Sequence, residues 1–302
     1  MTSTFARSCA AALFLVAVAT GCAGRPATGP ATDPGPGPGP AHEVTDTDRT
    51  LLRHTEQVLV ERCMRAQGFS YWAGPRPTPD ESFTVGYLLK DTDWARKNGY
   101  GSRVGRKVLA ARKTDPNLRY VDGLSPERRA AYLKALEGGP GSRKLSVEAP
   151  GGGTIKRLLG GCEESAQVRL YGDPATWFRV SKVATNLTPL YVAELSRDPE
   201  FTRAQRAWSV CMRTAGQDYA TPGAARDALP VLTRGLPEAD AFATEVRLAV
   251  TEAECAGSSG FARTGSALVR RYVDGLRGEY GDELDAYARL EREALTRARS
   301  LT

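Results

Sequence analysis

A mainly α-helical, multi-helix globular body with a small inserted β-hairpin or three-stranded patch and two disulfides is the fold class this sequence predicts. Three observations carry it. Helix-start signals recur from Thr45 onward, strand signals are confined to three short runs, and four cysteines remain beyond the N-terminal region. Hydrophobic content of 41% with 25% charge is that of a globular chain.

The elements follow in order. Residues 46–67 open with Asp and Thr caps and carry Leu51, Leu52, Val58, Leu59 and Cys63 near a 3.6-residue period, ending at Gly68. Ser125-Pro126-Glu127 joins a cap, a first-turn proline and a favourable acid, and Gly138 closes that helix. Asp173-Pro174 and Asp198-Pro199 are two further starts, and Pro237-Glu238 begins a helix through Cys255. From about Phe261, Val269, Tyr272, Val273, Leu276, Tyr280, Leu284 and Tyr287 form an amphipathic face. Gly275, Gly278 and Gly281 each cost that helix about 1 kcal/mol, which predicts a break there. The strand signals are Phe69–Trp72, Phe83–Leu88 and Leu145–Ala149.

The first 45 residues are of another kind. Arg7 precedes Ala10–Thr20, an apolar run of 11 residues with the length of a signal-peptide core and too short to span a bilayer. Ala19-Thr20-Gly21-Cys22 then has the form of a bacterial lipoprotein box, with Ala19 where Leu is usual. This predicts residues 1–21 as a signal peptide cut before Cys22. That cysteine would carry fatty acyl groups such as palmitate on its sulfur and its new amino terminus. At roughly 0.8 kcal/mol per buried methylene, several chains make a stable anchor. Residues 22–45 form the lipid-anchored, Pro/Gly-rich tether, whose residues 23–42 reach about 60 Å at 3.1 Å per residue. The folded body is residues 46–302, read as two related units of about 46–172 and 173–302.

Formal net charge is +6, with both signs interspersed along the chain. No basic stripe of the kind nucleic-acid binding needs is visible, and this charge supports weak attraction to anionic lipid heads or wall polymers. Setting aside Cys9 and Cys22 leaves Cys63, Cys162, Cys211 and Cys255. An even number in an oxidising compartment predicts two disulfides among three pairings. With no CxxC pair and only His42 and His54 as histidines, the sequence assigns no metal ligand.

One internal echo stands out. Cys63-Met-Arg-Ala-Gln-Gly-Phe-Ser-Tyr71 aligns with Cys211-Met-Arg-Thr-Ala-Gly-Gln-Asp-Tyr219, each after an amphipathic helix. The physical reading is a structural corner. The last helical turn buries Cys63-Met64 or Cys211-Met212, Gly68 or Gly216 takes the left-handed C-cap conformation, and Tyr71 or Tyr219 begins the exit. Trp208, one turn before Cys211, shields that sulfur.

This CMxxxGxxY segment, with a partner cysteine in a later acidic, alanine-rich helix, resembles a group of uncharacterised secreted actinobacterial lipoproteins. The stretches RYVDGLSPERRAAYLKALEG, GGCEESAQVRLYGD and WSVCMRTAGQDYATP carry the likeness, which covers most of residues 57–260. Because the unit can occur singly in that group, the resemblance implies that each unit closes its own bridge, Cys63–Cys162 and Cys211–Cys255. Crossed bridges, Cys63–Cys211 with Cys162–Cys255, are the rival if the two corners meet. The group implies a fold and a compartment, and no activity.

Catalytic signatures are sparse. There is no GxSxG, and His54 reads as a half-exposed helix residue rather than a base. The glycines of GYGSRVG (99, 101 and 105) and the Gly151–Gly153 run before a helix lack the strand and the GK[ST] ending of phosphate loops, and read as turns. Paired carboxylates leave no short motif. Glu163 with Glu164 beside Cys162, or Glu252 with Glu254 beside Cys255, are the candidates. Phe69, Tyr71, Trp72, Trp177 and Phe178 either line a groove or pack in the core.

The expectation is a lipid-anchored extracytoplasmic binding or accessory protein at the cell envelope, non-enzymatic and without a cofactor, catalytic residue or metal. Its partners would be the membrane, through the N-terminal lipid, and an envelope protein, peptide or wall polymer, with no nucleic acid. The alternative is a cell-wall glycan hydrolase using paired carboxylates.

Overall fold

Cap-and-proline pairs recur along the whole fold. In the computed structural model, which describes residues 43–301, six helices begin where a Thr, Asp or Ser side chain accepts from the first turn and a proline follows. Proline costs nothing there, because its missing N–H would be unpaired in any case. In chain order the elements are α1 (Asp46–Ala66), α2 (Pro79–Ser82), α3 (Thr92–Asn98), α4 (Ser102–Lys113), α5 (Pro116–Asp122) and α6 (Pro126–Glu137). Then come β1 (Arg143–Glu148), β2 (Thr154–Leu159), α7 (Gly161–Tyr171), α8 (Pro174–Ala184), α9 (Thr188–Leu195) and α10 (Pro199–Thr214). Last are α11 (Pro222–Asp227), α12 (Leu229–Leu232), α13 (Glu238–Ser258), α14 (Phe261–Gly275) and α15 (Arg277–Leu301). The break expected near Gly275 separates α14 from α15 at Leu276. The signal peptide, Cys22 and the tether lie outside the described residues apart from its last few.

The β-structure is one antiparallel hairpin, with Arg143 opposite Leu159 and Glu148 opposite Thr154. Inward positions pair across it as Leu145 with Arg157 and Val147 with Ile155. The Gly151–Gly153 run is a turn, as expected, but it leads into β2 rather than a helix. β2 escaped the sequence reading because Arg157 interrupts its alternation. Phe69–Trp72 and Phe83–Leu88, expected as strands, belong to no sheet. Side chains satisfy their backbone instead. Asn117 bonds both the N–H and the C=O of Trp72, at 3.0 and 2.9 Å. Arg226 donates to the carbonyls of Gly86 and Tyr87, at 2.7 and 2.8 Å.

Burial is organised around two main cores. The first gathers Leu59, Val60 and Met64 of α1, Tyr132 of α6 and Leu170 of α7 with Ala294, Leu295 and Ala298 of α15. The second gathers Tyr191, Phe201, Trp208, Leu248, Phe261 and Leu268 from α9, α10, α13 and α14. A smaller cluster sets Leu89, Trp94 and Ala95 against Ala249 and Ala253 of α13. These cores are not contiguous in sequence. Residues 83–100 of the first half pack on α13, while the end of α15 returns to the first core. Along α15, Tyr280 and Leu284 touch the second core and Ala294, Leu295 and Ala298 the first, so one helix stitches both. A boundary near residue 172 therefore divides the disulfides but not the cores. Both cores and both disulfides lie within the body that begins at residue 42.

Candidate functional site

Both corners form, but only the methionines of the expected buried Cys-Met pairs are buried: Cys63 and Cys211 stay half-buried, each reaching across to its bridge partner. Gly68 (φ 75°) and Gly216 (φ 79°) are both left-handed. Each corner closes with the same two bonds. Phe69 N–H donates to Met64 O at 3.0 Å and Gln217 N–H to Met212 O at 2.8 Å. Gly68 N–H donates to Arg65 O and Gly216 N–H to Arg213 O, at 3.0 and 2.9 Å. Met64, Met212 and Trp208 are fully buried. The Tyr71 hydroxyl donates to Gln57 at 2.7 Å, and the carbonyl of Tyr219 accepts from Ser209 at 2.8 Å. The bridges are the local ones, Cys63–Cys162 and Cys211–Cys255, with Cα separations of 5.5 and 5.6 Å.

The repeat stops at the corner. Cys162 lies in the first turn of α7, and Gln167 reaches back to Glu56 of α1 at 2.9 Å, so those helices run antiparallel. Cys255 lies in the last turn of α13, and the Trp208 indole N–H donates to Glu252 O at 3.2 Å, so α10 and α13 run parallel. The duplicated corner is thus stapled to two unlike helices.

The candidate carboxylate pairs do not converge. Glu163 is held by Arg157 at 3.0 Å. Glu254 is exposed and pairs with Arg96 at 3.1 Å, whereas Glu252 is fully buried. Its Oε1 accepts from Leu89 N–H at 2.8 Å and from Arg226 at 2.7 Å, and its Oε2 from the Tyr100 hydroxyl at 2.7 Å. Burial, and then the neighbouring carboxylate, raise the Tyr100 hydroxyl far above its ordinary value, so it stays a donor. Glu252 is a hub tying residues 86–100 and α11 to α13. His54 is half-buried on α1, where burial, reinforced by the Arg76 cation, lowers its imidazole from the usual value.

The GYGS turn does cradle an anion, one supplied by the chain itself. Glu245 of α13 accepts from the N–H groups of Tyr100 (2.8 Å) and Ser102 (3.1 Å), and from the Ser102 hydroxyl. It thereby caps α4, whose own N-cap Gly101 offers no side chain. Gly99 (φ 62°) is required: a Cβ there would lie 2.8 Å from Glu245 Cγ. Nothing near 99–105 in the sequence pointed to a glutamate 145 residues away.

A groove of about 1200 Å³ runs beside this network. The segment 82–91 forms one wall, with Phe83, Val85 and Tyr87 on it. Tyr191, Val192 and Leu195 of α9 form another, and Ala262, Gly265 and Val269 of α14 the base. Asp46 and Arg53 of α1 stand at its edge. Glu163, Glu164, Glu252 and Glu254 are not among its lining residues. Phe69, Tyr71 and Trp72 border a smaller hollow of about 250 Å³ at the first corner. Trp177 stacks between Tyr171 (3.8 Å) and Tyr287 (5.5 Å) against the first core, and Phe178 is buried. The groove was not legible in the sequence, because its lining comes from segments as far apart as Asp46 and Val269. Among the described residues, no His/Cys/Asp/Glu cluster is arranged to hold a metal, and no helix is long and apolar enough to cross a membrane. No family model, curated protein or solved structure matches the chain.

Proposed function

We propose that this chain is a lipid-anchored extracytoplasmic binding protein that holds an apolar peptide segment of an envelope partner in the groove between α9, α14 and residues 82–91. The observation that carries this reading is the groove itself. At about 1200 Å³ it exceeds the usual range of small-molecule sites, and its lining is predominantly apolar, with Phe83, Val85, Tyr87, Tyr191 and Leu195 among polar residues such as Asp46, Arg53 and Lys90. The Glu252–Arg226 hub fixes one wall in place without spending a group on the ligand. Two disulfides support an oxidising compartment, and the Cys22 box supports the anchor.

Two experiments separate the parts. Cys22→Ala should shift the protein out of the detergent phase, and identical partitioning of variant and parent would end the anchor reading. A photo-crosslinking residue at Val192, exposed in the groove wall, should capture a discrete partner in cells. Filling the groove by Ala262→Trp should abolish that adduct. The groove reading fails if the adduct survives filling, or if it is matched by a crosslinker at the exposed Val231 of α12.

A further inference from the structure

Among the described helices of eight residues or more, α4 alone buries no residue. Its sequence SRVGRKVLAARK carries five cations and no anion, so the rest of the chain holds only +1 of the net +6. At 100° per residue, Val104, Val108 and Ala111 share one face, and both valines are half-buried against the body. Arg103 and Lys107 flank that side and pair with Glu238 and Glu81, and Arg106, from the far side, also reaches Glu238. The opposite face aligns Arg106, Leu109 and Lys113, with Arg112 at its flank. Leu109 is 57% exposed, and neither Arg112 nor Lys113 has an ion-pair partner among the described residues.

An exposed leucine ringed by cations suits one kind of surface. We propose that α4 docks the folded body onto an anionic bilayer, with Leu109 entering the headgroup–acyl boundary and Arg112 and Lys113 meeting lipid phosphates. A wall polyanion would satisfy the cations but gives Leu109 nothing, which is why the bilayer is favoured. The docking does not depend on acylation of Cys22 or on an occupant of the groove. It would press one defined side of the body to the membrane, where a tether alone leaves orientation free.

The test uses the chain from position 22 onward carrying Cys22→Ser, which keeps the whole described body and removes the acylated sulfur. It is sedimented with vesicles of phosphatidylcholine alone or mixed with phosphatidylglycerol. Binding to the anionic vesicles should exceed that to neutral ones by more than about tenfold and fall with added salt. The Arg112→Glu/Lys113→Glu pair should remove that excess, and Leu109→Ser should lower it by about tenfold; the exposed side chains leave the melting temperature within a few degrees, the glutamates costing only their meeting with the negative end of α4. Equal binding to the two vesicle types, or charge reversal without effect, overturns the proposal. So does a Leu109→Ser variant that binds as tightly as its parent while a soluble polyanion displaces both, the result expected of a polymer site. Because this chain lacks the anchor, failure here leaves the Cys22 reading to its own partition assay.

Discussion

Replacing Glu252 with alanine tests the hub that holds the groove wall. The carboxylate is 0% exposed and serves three donors: the buried Leu89 N–H, the Tyr100 hydroxyl and the Arg226 guanidinium. Truncation strands all three at once. Breaking a buried ion pair from one side costs about 3–5 kcal/mol, since the remaining charge and donors stay desolvated. For a body of this size each kcal/mol lowers Tm by about 2–4 °C, so Glu252→Ala should melt about 6–20 °C below the parent. Glu252→Gln keeps the volume and an acceptor for Leu89 and loses only the charge, so about 1–2 kcal/mol is expected. Adding Arg226→Leu to Glu252→Ala should cost less than the two single changes summed, because neither partner is then left unpaired. Thermal melts followed by near-ultraviolet circular dichroism read the ranking, and amide exchange at Leu89 should accelerate in the alanine variant. An alanine variant melting within about 2 °C of the parent would refute the reasoning.

Other outcomes follow from the same geometry. Gly99→Ala should destabilise by at least about 2 kcal/mol, from a left-handed φ and a clash with Glu245. Gly105→Ala, in open space within α4, should stabilise by about 0.5–1 kcal/mol, and urea midpoints distinguish the two. Burial raises the Glu56 carboxyl, an effect its hydrogen bond from Gln167 only partly offsets. Its contribution to stability is therefore complete below its unfolded value and lost as pH rises through its folded one. Glu56→Gln should match the parent below pH about 4 and be more stable by about 1 kcal/mol at neutral pH, where the new amide can also serve the unpaired Gln167 Oε1. Urea titrations across pH giving parallel curves would contradict this. Ending the chain before Arg277 strips Ala294, Leu295 and Ala298 from the first core and removes the buried Leu290 as well. With about 1.5–3 kcal/mol per buried leucine, Tm should fall well over 5 °C, and an unchanged Tm would count against the stitching role. Double Cys→Ala removal of Cys63–Cys162 or Cys211–Cys255, enclosing 99 and 44 residues of separation, should cost about 4.7 and 4 kcal/mol by chain entropy. Equilibrium unfolding measures both, and a loss below about 1 kcal/mol for either would show that closure contributes little.

What this sequence determined by itself is whatever acts within a few residues. Thr, Asp or Ser before proline starts a helix because cap and first turn are adjacent, and Gly68 and Gly216 end helices because only glycine takes that φ without strain. The α14–α15 break and the duplicated corner were legible for the same reason. The local disulfide pairing was an expectation carried by the resemblance, and the structure bears it out. Tertiary structure alone decided where strand-like segments went. Phe69–Trp72 and Phe83–Leu88 have strand composition, yet Asn117 and Arg226, 45 and about 140 residues away, take the backbone groups a neighbouring strand would have bonded. Glu245 and Glu252 carry no mark in sequence that separates them from Glu254. Their roles come from loop 86–102 being laid against α13, which buries two of the three carboxylates and leaves the third in water. The interleaved cores and the groove arise likewise, because long-range burial chooses among faces that local sequence leaves equivalent.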